Sequence, residues 1–239
     1  MTGSLVYAGK VALVTGARRG IGKIITEHFL RSGAQVVGLA RGEPTIDHPQ
    51  YRHHRIDLGD TSAIQAVFAD LRKTAGTIDI VVNNAAVLTS QYAMIMPADA
   101  ARAMVNVNLL GPFMVSREAA KFMHKSKWGR IINIGSMAVS LEPMGDSVYA
   151  ACKAGLATMA NVMAREFAGF NVTCNTLAIT AIDSDMLRQL PRDKIDAIVE
   201  RLPLPRLAEP DDILNVIDFL ASEHSSYITA QTIHLGGVN

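Results

Sequence analysis

The sequence predicts an α/β fold in which a doubly wound parallel sheet carries helices on both faces. Short apolar runs rich in Val and Ile alternate with longer segments of helical period, as in repeated strand–helix–strand units. A glycine-rich turn follows the first apolar run and opens an amphipathic segment. A chain of 239 residues, 49% of them hydrophobic, can bury the core of a three-layer domain. We therefore expect a single domain over residues 1–239.

Seven short apolar runs are predicted to be the strands of a Rossmann-type sheet. Parallel neighbours in such a sheet need crossover connections between them. The predicted strands cover residues 10–15, 35–39, 51–56, 79–82, 130–135, 171–177 and 232–235.

Helical periodicity marks the crossovers. Ile21, Ile25 and Phe29 recur every four residues and place one apolar stripe against the sheet, and Gly33 follows as a stop signal. Asp211 is the expected N-cap of the last helix. The later helices are predicted over residues 61–73, 100–125, 147–168 and 211–221.

Residues 184–206 differ from this pattern, because apolar side chains are mixed with charges there and Leu-Pro-Leu-Pro lies close to the end. We expect a helical flap over the carboxyl edge of the sheet, where open α/β folds bind their ligands. An ordinary surface excursion is the alternative interpretation.

Charge and cysteine usage narrow the range of functions. The formal net charge is +1 without a run of like charges, so we expect a small-molecule substrate and neither a nucleic-acid nor a membrane partner. No targeting segment or long apolar stretch is present, which predicts a cytoplasmic protein. Cys152 and Cys174 lack metal-ligand spacing, so no metal site is expected, and both are interpreted as small buried residues.

A dinucleotide-binding loop is predicted after the first strand, in the sequence Thr15-Gly16-Ala17-Arg18-Arg19-Gly20-Ile21-Gly22. Glycines let the backbone approach a pyrophosphate, and the N–H groups at the start of the next helix favour its negative charge. The flanking strand and helix make this motif more specific than an isolated glycine pattern, which could be only a tight turn. The candidate cofactor contacts are Gly16, Arg18, Arg19, Gly20, Ile21 and Gly22.

The end of the second strand indicates which dinucleotide is bound. NAD enzymes usually place a carboxylate there for the ribose hydroxyls, and this chain has Ala40 instead. Arg41 follows, so its guanidinium and those of Arg18 and Arg19 could converge on a 2′-phosphate. The pattern favours NADP, although Arg18 or Arg41 alone could be an ordinary solvated charge.

Tyr149 and Lys153 lie one turn apart on one face of the helix that is predicted from residue 147. A phenol has an unperturbed pKa of roughly 10, so it serves as an acid–base group at neutral pH when a nearby ammonium lowers that pKa. Such a pair also arises by chance on helix surfaces. Ser136 strengthens the interpretation, because it follows the fifth predicted strand and its hydroxyl would emerge at the same sheet edge.

Together these motifs resemble the short-chain dehydrogenase/reductase family over essentially the whole chain. Residues 15–22 resemble the family's Thr-Gly-x3-Gly-x-Gly loop, and Tyr149 and Lys153 match its Tyr-x3-Lys pair. The family's Asn-Asn-Ala-Gly motif is similar to Asn83-Asn84-Ala85-Ala86, and its serine strand is similar to Ile132-Asn133-Ile134-Gly135-Ser136.

The resemblance implies a role for each catalytic candidate. Tyr149 would donate and accept the proton, Ser136 would polarise the carbonyl, and Lys153 would bind the nicotinamide ribose and lower the Tyr149 pKa. Asn108 matches the asparagine that maintains a proton-relay water near the lysine. Taken alone, Asp57 would be a strand-end cap and Asn108 a polar helix residue. The further cofactor contacts that the resemblance implies are Asp57, Leu58, Asn84, Ala85, Ala86, Tyr149, Lys153, Ile182 and Ser184.

Within the family, residues 204–212 and 226–232 are most similar to 3-oxoacyl-(acyl-carrier-protein) reductases. Dehydrogenases of sugars and cyclic alcohols share these sequence patterns. Those reductases offer basic residues to a carrier protein at two places, of which Arg130 matches one and Phe170 replaces the other. The family's Pro-Gly after the sixth strand is Ile179-Thr180 here, which affects the placement of the nicotinamide. The resemblance also implies a homotetramer.

The sequence therefore predicts an NADPH-dependent oxidoreductase that reduces a ketone, such as a 3-oxoacyl thioester that a carrier could present, with Tyr149 as the proton donor. One alternative is an NAD(P)-dependent dehydrogenase of a sugar, polyol or cyclic secondary alcohol, and another is a non-catalytic NADP-binding protein. Apolar residues around the site either line a substrate pocket or belong to the core. The candidate substrate contacts are Ser136, Met137, Met144, Tyr149 and Met186.

Overall fold

The structure is a computed structural model that describes residues 6–182, 187–189 and 192–237. Within these residues seven strands form one sheet, in which every neighbouring pair is parallel. In chain order they are β1 (Val11–Thr15), β2 (Gln35–Ala40), β3 (Tyr51–Arg55), β4 (Ile80–Asn83), β5 (Gly129–Ile134), β6 (Val172–Ala178) and β7 (Thr232–His234).

The strands are arranged across the sheet in the order β3-β2-β1-β4-β5-β6-β7. The order reverses between β1 and β4, so the chain winds outward in both directions from the centre. Every strand end lies within one residue of its predicted position, because the central strands are covered on both faces and appear in the sequence as continuous apolar runs. The doubly wound parallel sheet predicted from the sequence is confirmed.

Within the described residues, helices connect every pair of consecutive strands except β2 and β3, which residues 41–50 join without a helix. The helices are α1 (Gly20–Arg31), α2 (Thr61–Thr74), α3 (Ala98–Val105), α4 (Gly111–Ser126), α5 (Ala138–Leu141), α6 (Ser147–Phe167), α7 (Arg192–Glu200) and α8 (Pro210–Ala221). None of the described helices is long and apolar enough to cross a membrane.

Two helical layers enclose the sheet. On one face α1 and α8 bury Ile25, Phe29 and Ile217 completely against the strands, with Ile21 at the edge of the same cluster. On the other face α2, α4 and α6 cover a second core that contains Phe68. Burying each large apolar side chain stabilises the folded state by about 1.5–3 kcal/mol. The two cores therefore hold in place the carboxyl ends of the strands, where the site described below lies.

The helix predicted over residues 100–125 is divided into three parts. A π-helical turn, Asn106–Leu110, separates α3 from α4. Pro112 follows this turn, and because it has no N–H it cannot donate to a carbonyl of the preceding helical turn. Gly111 approaches the Leu58 carbonyl closely, since a Cβ there would lie 2.9 Å from the Leu58 oxygen. The predicted helix is therefore confirmed to within two residues at each end, and the π-helical turn inside it was not predicted.

The N-cap of α8 is Glu209, and the prediction of Asp211 is wrong by two residues. Pro210 occupies the first helical position, which suits its fixed φ and lack of an N–H. The Asp212 side chain accepts a hydrogen bond from the Glu209 backbone N–H at 2.8 Å. It also pairs with Arg206 at 2.7 Å, so the start of α8 is fastened by a local network.

The predicted flap is described only in part. α7 lies inside it, and Leu187 and Leu202 are buried. Residues 183–186 and 190–191 lie outside the described residues. The role of a flap over the site, and the assignment of residues 1–239 to a single domain, stay predictions.

Candidate active site

The carboxyl ends of β1 and β4 are joined by hydrogen bonds. The Thr15 hydroxyl accepts from the backbone N–H groups of Asn84 and Ala85, at 2.9 and 3.0 Å. The Asn84 side chain donates to the Thr15 carbonyl at 2.9 Å. Two of the predicted cofactor segments therefore lie side by side at the sheet edge where open α/β folds bind ligands.

Glycines shape the loop between β1 and α1. Gly16 and Gly20 have φ values of 70° and 53°, which favour glycine. A Cβ on Gly22 would overlap the Gly16 carbonyl and the Asn84 amide. Gly20 and Ile21 open α1, so the free N–H groups and positive dipole end of its first turn lie at the loop. This cradle fits the pyrophosphate of a dinucleotide.

A cavity of about 560 Å³ lies at the same edge, and both Arg41 and Asp57 line it. Arg18 is fixed beside Gly42, because its Nε donates to the Glu43 carbonyl at 2.8 Å and a Cβ on Gly42 would lie 2.8 Å from its guanidinium carbon. Arg18 and Arg41 are thus both brought to the end of β2, as a 2′-phosphate site requires.

Ser136 and Tyr149 approach each other at the end of β5. Ser136 follows the strand, and its Oγ accepts a hydrogen bond from the Ala138 backbone N–H at 3.1 Å, which starts α5. Tyr149 lies in the first turn of α6, is buried, and lies near enough to Ser136 for that residue to influence the Tyr149 pKa. Two hydroxyl groups therefore converge where one carbonyl oxygen could accept from both.

Lys153 lies one turn further along α6 and is buried. Its Nζ donates to the Ile134 carbonyl at 2.7 Å, which fixes the side chain at the end of β5. The same nitrogen lies 5.7 Å from the centre of the Tyr149 ring. The structure thus brings together the three side chains that the sequence predicts as the catalytic centre.

Burial dominates the titration of both groups. Burial raises the pKa of Tyr149, the nearby Ser136 hydroxyl opposes that shift, and the Asp146 carboxylate adds to it. Burial also lowers the pKa of Lys153 to about 8, because the ammonium is removed from water. In this structure burial therefore outweighs the expected lowering, and the net shift of the Tyr149 pKa is upward. The buried phenol keeps its proton at neutral pH, as a proton donor requires.

Asn108 is fully buried in the π-helical turn. Its Nδ2 donates to the Val87 carbonyl and its Oδ1 accepts from the Val87 N–H, both at 2.8 Å. The side chain thereby fixes the segment after β4 against the helices. Single π-helical turns often mark functional sites. The proton relay that the resemblance implies for Asn108 stays a prediction.

The Ile179-Thr180 pair is accommodated without loss of hydrogen bonding. The Met137 N–H donates to the Ile179 carbonyl at 2.9 Å, and the Thr180 hydroxyl donates to the Met137 sulfur at 3.8 Å. Gly236 has a φ of 73°, and a Cβ there would lie 3.0 Å from the Thr180 hydroxyl. Thr180 therefore fills the space between the Ser136 loop and the end of the chain.

A second cavity, of about 410 Å³, opens beside the start of α6. Met144 lines it and is exposed, whereas the Met137 sulfur turns toward Thr180. Ile182 is buried and forms a β-bridge with Ala208, while Leu58 belongs to the core and Ala86 is half-buried. Two candidates, Ser184 and Met186, lie outside the described residues.

Among the residues described, no group of His, Cys, Asp or Glu side chains could hold a metal ion.

Arg130 is completely buried and is not available to a carrier protein. Its guanidinium donates to the carbonyls of Ser222 and Gly129 at 3.1 and 2.9 Å and lies 4.5 Å from the centre of the Trp128 ring. The expectation that it matches a basic docking residue is therefore wrong, since it ties β5 to the end of α8. Phe170, at the other docking position, contacts the His124 ring.

Three residues of the site were not predicted. Thr15 belongs to the predicted dinucleotide-binding loop. Its position at the end of the first strand is the signal that its hydroxyl could bond to the segment at Asn84 and Ala85. Asp146 lies three residues before Tyr149, a spacing that places it one turn from the predicted proton donor. Tyr92 lies in a segment without periodicity and carries no sequence signal.

Comparisons with known proteins agree with this geometry. The profile of a family described as Enoyl-(Acyl carrier protein) reductase matches residues 16–239. The 3-oxoacyl-(acyl-carrier-protein) reductase FabG of Salmonella typhimurium is 35% identical over 237 residues, covering 97% of each chain. FabG of Vibrio harveyi is 37% identical over 235 residues and 96% of each chain. A solved structure of a putative gluconate dehydrogenase from Agrobacterium tumefaciens has a TM-score of 0.90 at 28% identity, covering 98% of this chain and 96% of that one.

The chain belongs to the short-chain dehydrogenase/reductase family. It is an oxidoreductase that acts on CH–OH or C=O groups with a nicotinamide cofactor. The named relatives differ in substrate, since two are 3-oxoacyl reductases and one is a putative gluconate dehydrogenase.

Proposed function

We propose that this protein is an NADPH-dependent ketone reductase whose substrate is a 3-oxoacyl thioester or a similar 3-oxo compound. The observation that carries the proposal is the convergence of Ser136 and Tyr149 beside the buried Lys153. Two hydroxyl groups suit the single oxygen of a ketone or secondary alcohol. The 3-oxoacyl reductases at 35% and 37% identity support the substrate class.

In the proposed reaction, the bound nicotinamide supplies a hydride to the carbonyl carbon. Ser136 and Tyr149 hold the carbonyl oxygen by hydrogen bonds and polarise it. The Tyr149 proton passes to that oxygen as negative charge develops there, which leaves a phenolate. The Lys153 ammonium stabilises the phenolate, and a relay past Asn108 returns a proton to it.

NADPH is proposed over NADH because β2 ends in Ala40 and two guanidiniums lie at that end. Arg41→Ala should raise the KM for NADPH by roughly tenfold or more, since one charge-assisted hydrogen bond is lost, and leave the KM for NADH nearly unchanged. Arg52→Ala removes an equal charge from an exposed position on β3 and serves as the control. Equal effects of Arg41→Ala on both cofactors would argue against a 2′-phosphate site.

The test of the substrate class is a comparison of reactions in both directions. Following NADPH absorbance, we expect oxidation with an acetoacetyl thioester and none with a crotonyl thioester, whose double bond is not a carbonyl substrate. The similarity to a putative gluconate dehydrogenase favours a second candidate, an alcohol dehydrogenase. Faster reduction of NADP⁺ by gluconate or a polyol would support it. Cofactor binding without turnover in either direction would support a non-catalytic protein.

We also propose a homotetramer, with faces of α4 and α6 between subunits. Exposed apolar side chains on and before these helices support the proposal, namely Val105, Leu110, Phe113 and Val162. Light scattering coupled to gel filtration should give the mass of four chains, and a monomer mass would refute it. The cytoplasmic location stays a prediction.

A further inference from the structure

Residues 41–43, directly after β2, are held by side chains from two other parts of the chain. Each of their three backbone carbonyls accepts a hydrogen bond from one of these side chains. In chain order of the carbonyls, the donors are Arg55 Nε at 3.2 Å, His53 Nε2 at 2.8 Å and Arg18 Nε at 2.8 Å. Carbonyls in surface connections commonly bond to water, so three side-chain donors in succession fix this backbone in one conformation.

His53 is itself held by a second hydrogen bond. Because the Gly42 carbonyl can only accept, His53 Nε2 carries a proton. In the neutral ring, Nδ1 then accepts from the Tyr51 hydroxyl at 2.9 Å. The Arg55 side chain, the other donor on β3, is 70% exposed, whereas His53 is half-buried. His53 is therefore the better oriented of the two donors that β3 supplies.

Tyr51 is packed against β2. It lies two residues before His53 on β3, so both side chains are on the same side of the sheet. A Cβ on Gly38 of β2 would overlap the Tyr51 hydroxyl, so the glycine leaves the space that this hydroxyl occupies. Burial raises the pKa of Tyr51 to about 12, and the hydroxyl therefore keeps the proton that it donates to His53. A chain of hydrogen bonds thus runs from Tyr51 through His53 to the Gly42 carbonyl.

Residues 41–43 connect the two guanidiniums of the proposed 2′-phosphate site. Arg41 is the first of these residues and lines the cavity of about 560 Å³. Arg18 lies beside the second, since a Cβ on Gly42 would be 2.7 Å from the Arg18 Nε. The Thr45 hydroxyl donates to the Arg18 carbonyl at 2.6 Å, which fastens the glycine-rich loop to the chain just beyond. A shift in the backbone of residues 41–43 would therefore move both guanidiniums.

We propose that His53 is a positioning residue for cofactor selection, which holds the Gly42 carbonyl and thereby fixes Arg41 and Arg18 where they bind the 2′-phosphate of NADPH. The inference rests on the proposed preference for NADPH and assigns its support to β3, the edge strand of the sheet. Without the His53 bond, residues 41–43 would have to be ordered when NADPH binds, which weakens binding. NADH has no 2′-phosphate, so its affinity depends less on that order.

The test measures binding without turnover. Isothermal titration gives the Kd of NADP⁺ and of NAD⁺ for the unmodified protein and for each variant, and circular dichroism checks that each variant is folded. His53→Ala removes the donor, and His53→Gln keeps an N–H that can reach the Gly42 carbonyl. Tyr51→Phe removes only the bond that orients the ring. His54→Ala removes an imidazole from the other side of the same strand and is the matched control.

We expect His53→Ala to raise the Kd of NADP⁺ by roughly three- to tenfold, the effect of one lost hydrogen bond, and to change the Kd of NAD⁺ by less than about twofold. His53→Gln should restore most of the preference for NADP⁺, and Tyr51→Phe should lose part of it. In an Arg41→Ala background, His53→Ala should have a smaller effect on NADP⁺, because His53 acts through that guanidinium.

Two results would overturn the inference while the proposed function stands. One is a preference for NADP⁺ that is unchanged in His53→Ala, and the other is an equal loss of preference in His54→Ala. If His53→Ala does not fold, an unchanged preference in Tyr51→Phe overturns it instead. If the unmodified protein binds NAD⁺ as tightly as NADP⁺, the proposed preference for NADPH fails, and the inference fails with it.

Discussion

Tyr149 and Lys153 are 7% and 3% exposed, and burial shifts their pKa values in opposite directions. The phenol is kept neutral while the ammonium loses its proton more readily than a lysine in water does. At the scale of single residues, Tyr149 and Lys153 together therefore favour proton donation by Tyr149 at pH values below the pKa of Lys153.

The pH dependence of ketone reduction follows from these two shifts. As the pH rises through about 8, Lys153 loses its positive charge while Tyr149 keeps its proton, so stabilisation of the phenolate is lost. We predict that kcat is constant at lower pH and falls as the pH rises through about 8. Initial rates at saturating NADPH and ketone would show it. A fall near 10.5, the value of an unperturbed lysine, would mean that burial does not shift Lys153.

Residue types and spacing were enough to predict that Ser136, Tyr149 and Lys153 lie close together, because their positions depend on a strand end and one helical turn. The burial of Arg130 was not predictable in this way. Its guanidinium bonds to the carbonyl of Ser222, 92 residues away in the chain, and no local pattern around Arg130 signals that contact.

At the scale of elements, the strands were predictable because a strand covered on both faces is apolar at nearly every position. The helix over residues 100–125 was also predictable, whereas the π-helical turn inside it was not, because the apolar period continues through that turn. Gly111 and Pro112 were the available signal that the regular helical hydrogen bonding changes there. The π-helical turn places Asn108 where its side chain can bond to Val87.

The start of α8 provides an element-scale prediction. Asp212→Ala removes the acceptor of the Glu209 N–H and the partner of Arg206, so the free energy of unfolding should fall by about 1 kcal/mol. Urea unfolding followed by circular dichroism measures the change. Asp211→Ala removes the same charge from the same turn and should have a smaller effect. Equal losses in the two variants would show that helix-dipole charge, rather than the local bonds, stabilises the helix start.

At the scale of the whole molecule, a small polar cluster connects distant parts of the chain. The Tyr7 hydroxyl donates to Asp218 Oδ1 at 2.7 Å, and His28 Nε2 is bonded to the same oxygen at 2.8 Å. The segment before β1 is thereby attached to α1 and α8. Burial raises the pKa of Tyr7 above its ordinary range, and the bond to Asp218 adds to the shift.

Asp218→Ala should destabilise the fold more than Tyr7→Phe. The first variant leaves the buried Tyr7 hydroxyl and the His28 ring without their acceptor, which costs about 2 kcal/mol, whereas the second removes one hydrogen bond worth about 1 kcal/mol. Denaturant midpoints at constant m-value give both numbers. If the free energy of unfolding fell less in Asp218→Ala than in Tyr7→Phe, the hydrogen bonds to Asp218 would not be what attaches the segment before β1 to α1 and α8.

The most direct test of the account is the rate of NADPH oxidation by the unmodified protein and by Tyr149→Phe with an acetoacetyl thioester, with NADPH affinity measured in parallel. We predict that Tyr149→Phe lowers kcat by roughly 10²–10⁴-fold, the usual contribution of a positioned acid, while the Kd for NADPH changes little. A variant that keeps its kcat within a few-fold would contradict the assignment of Tyr149 as the proton donor, and with it the catalytic centre described here.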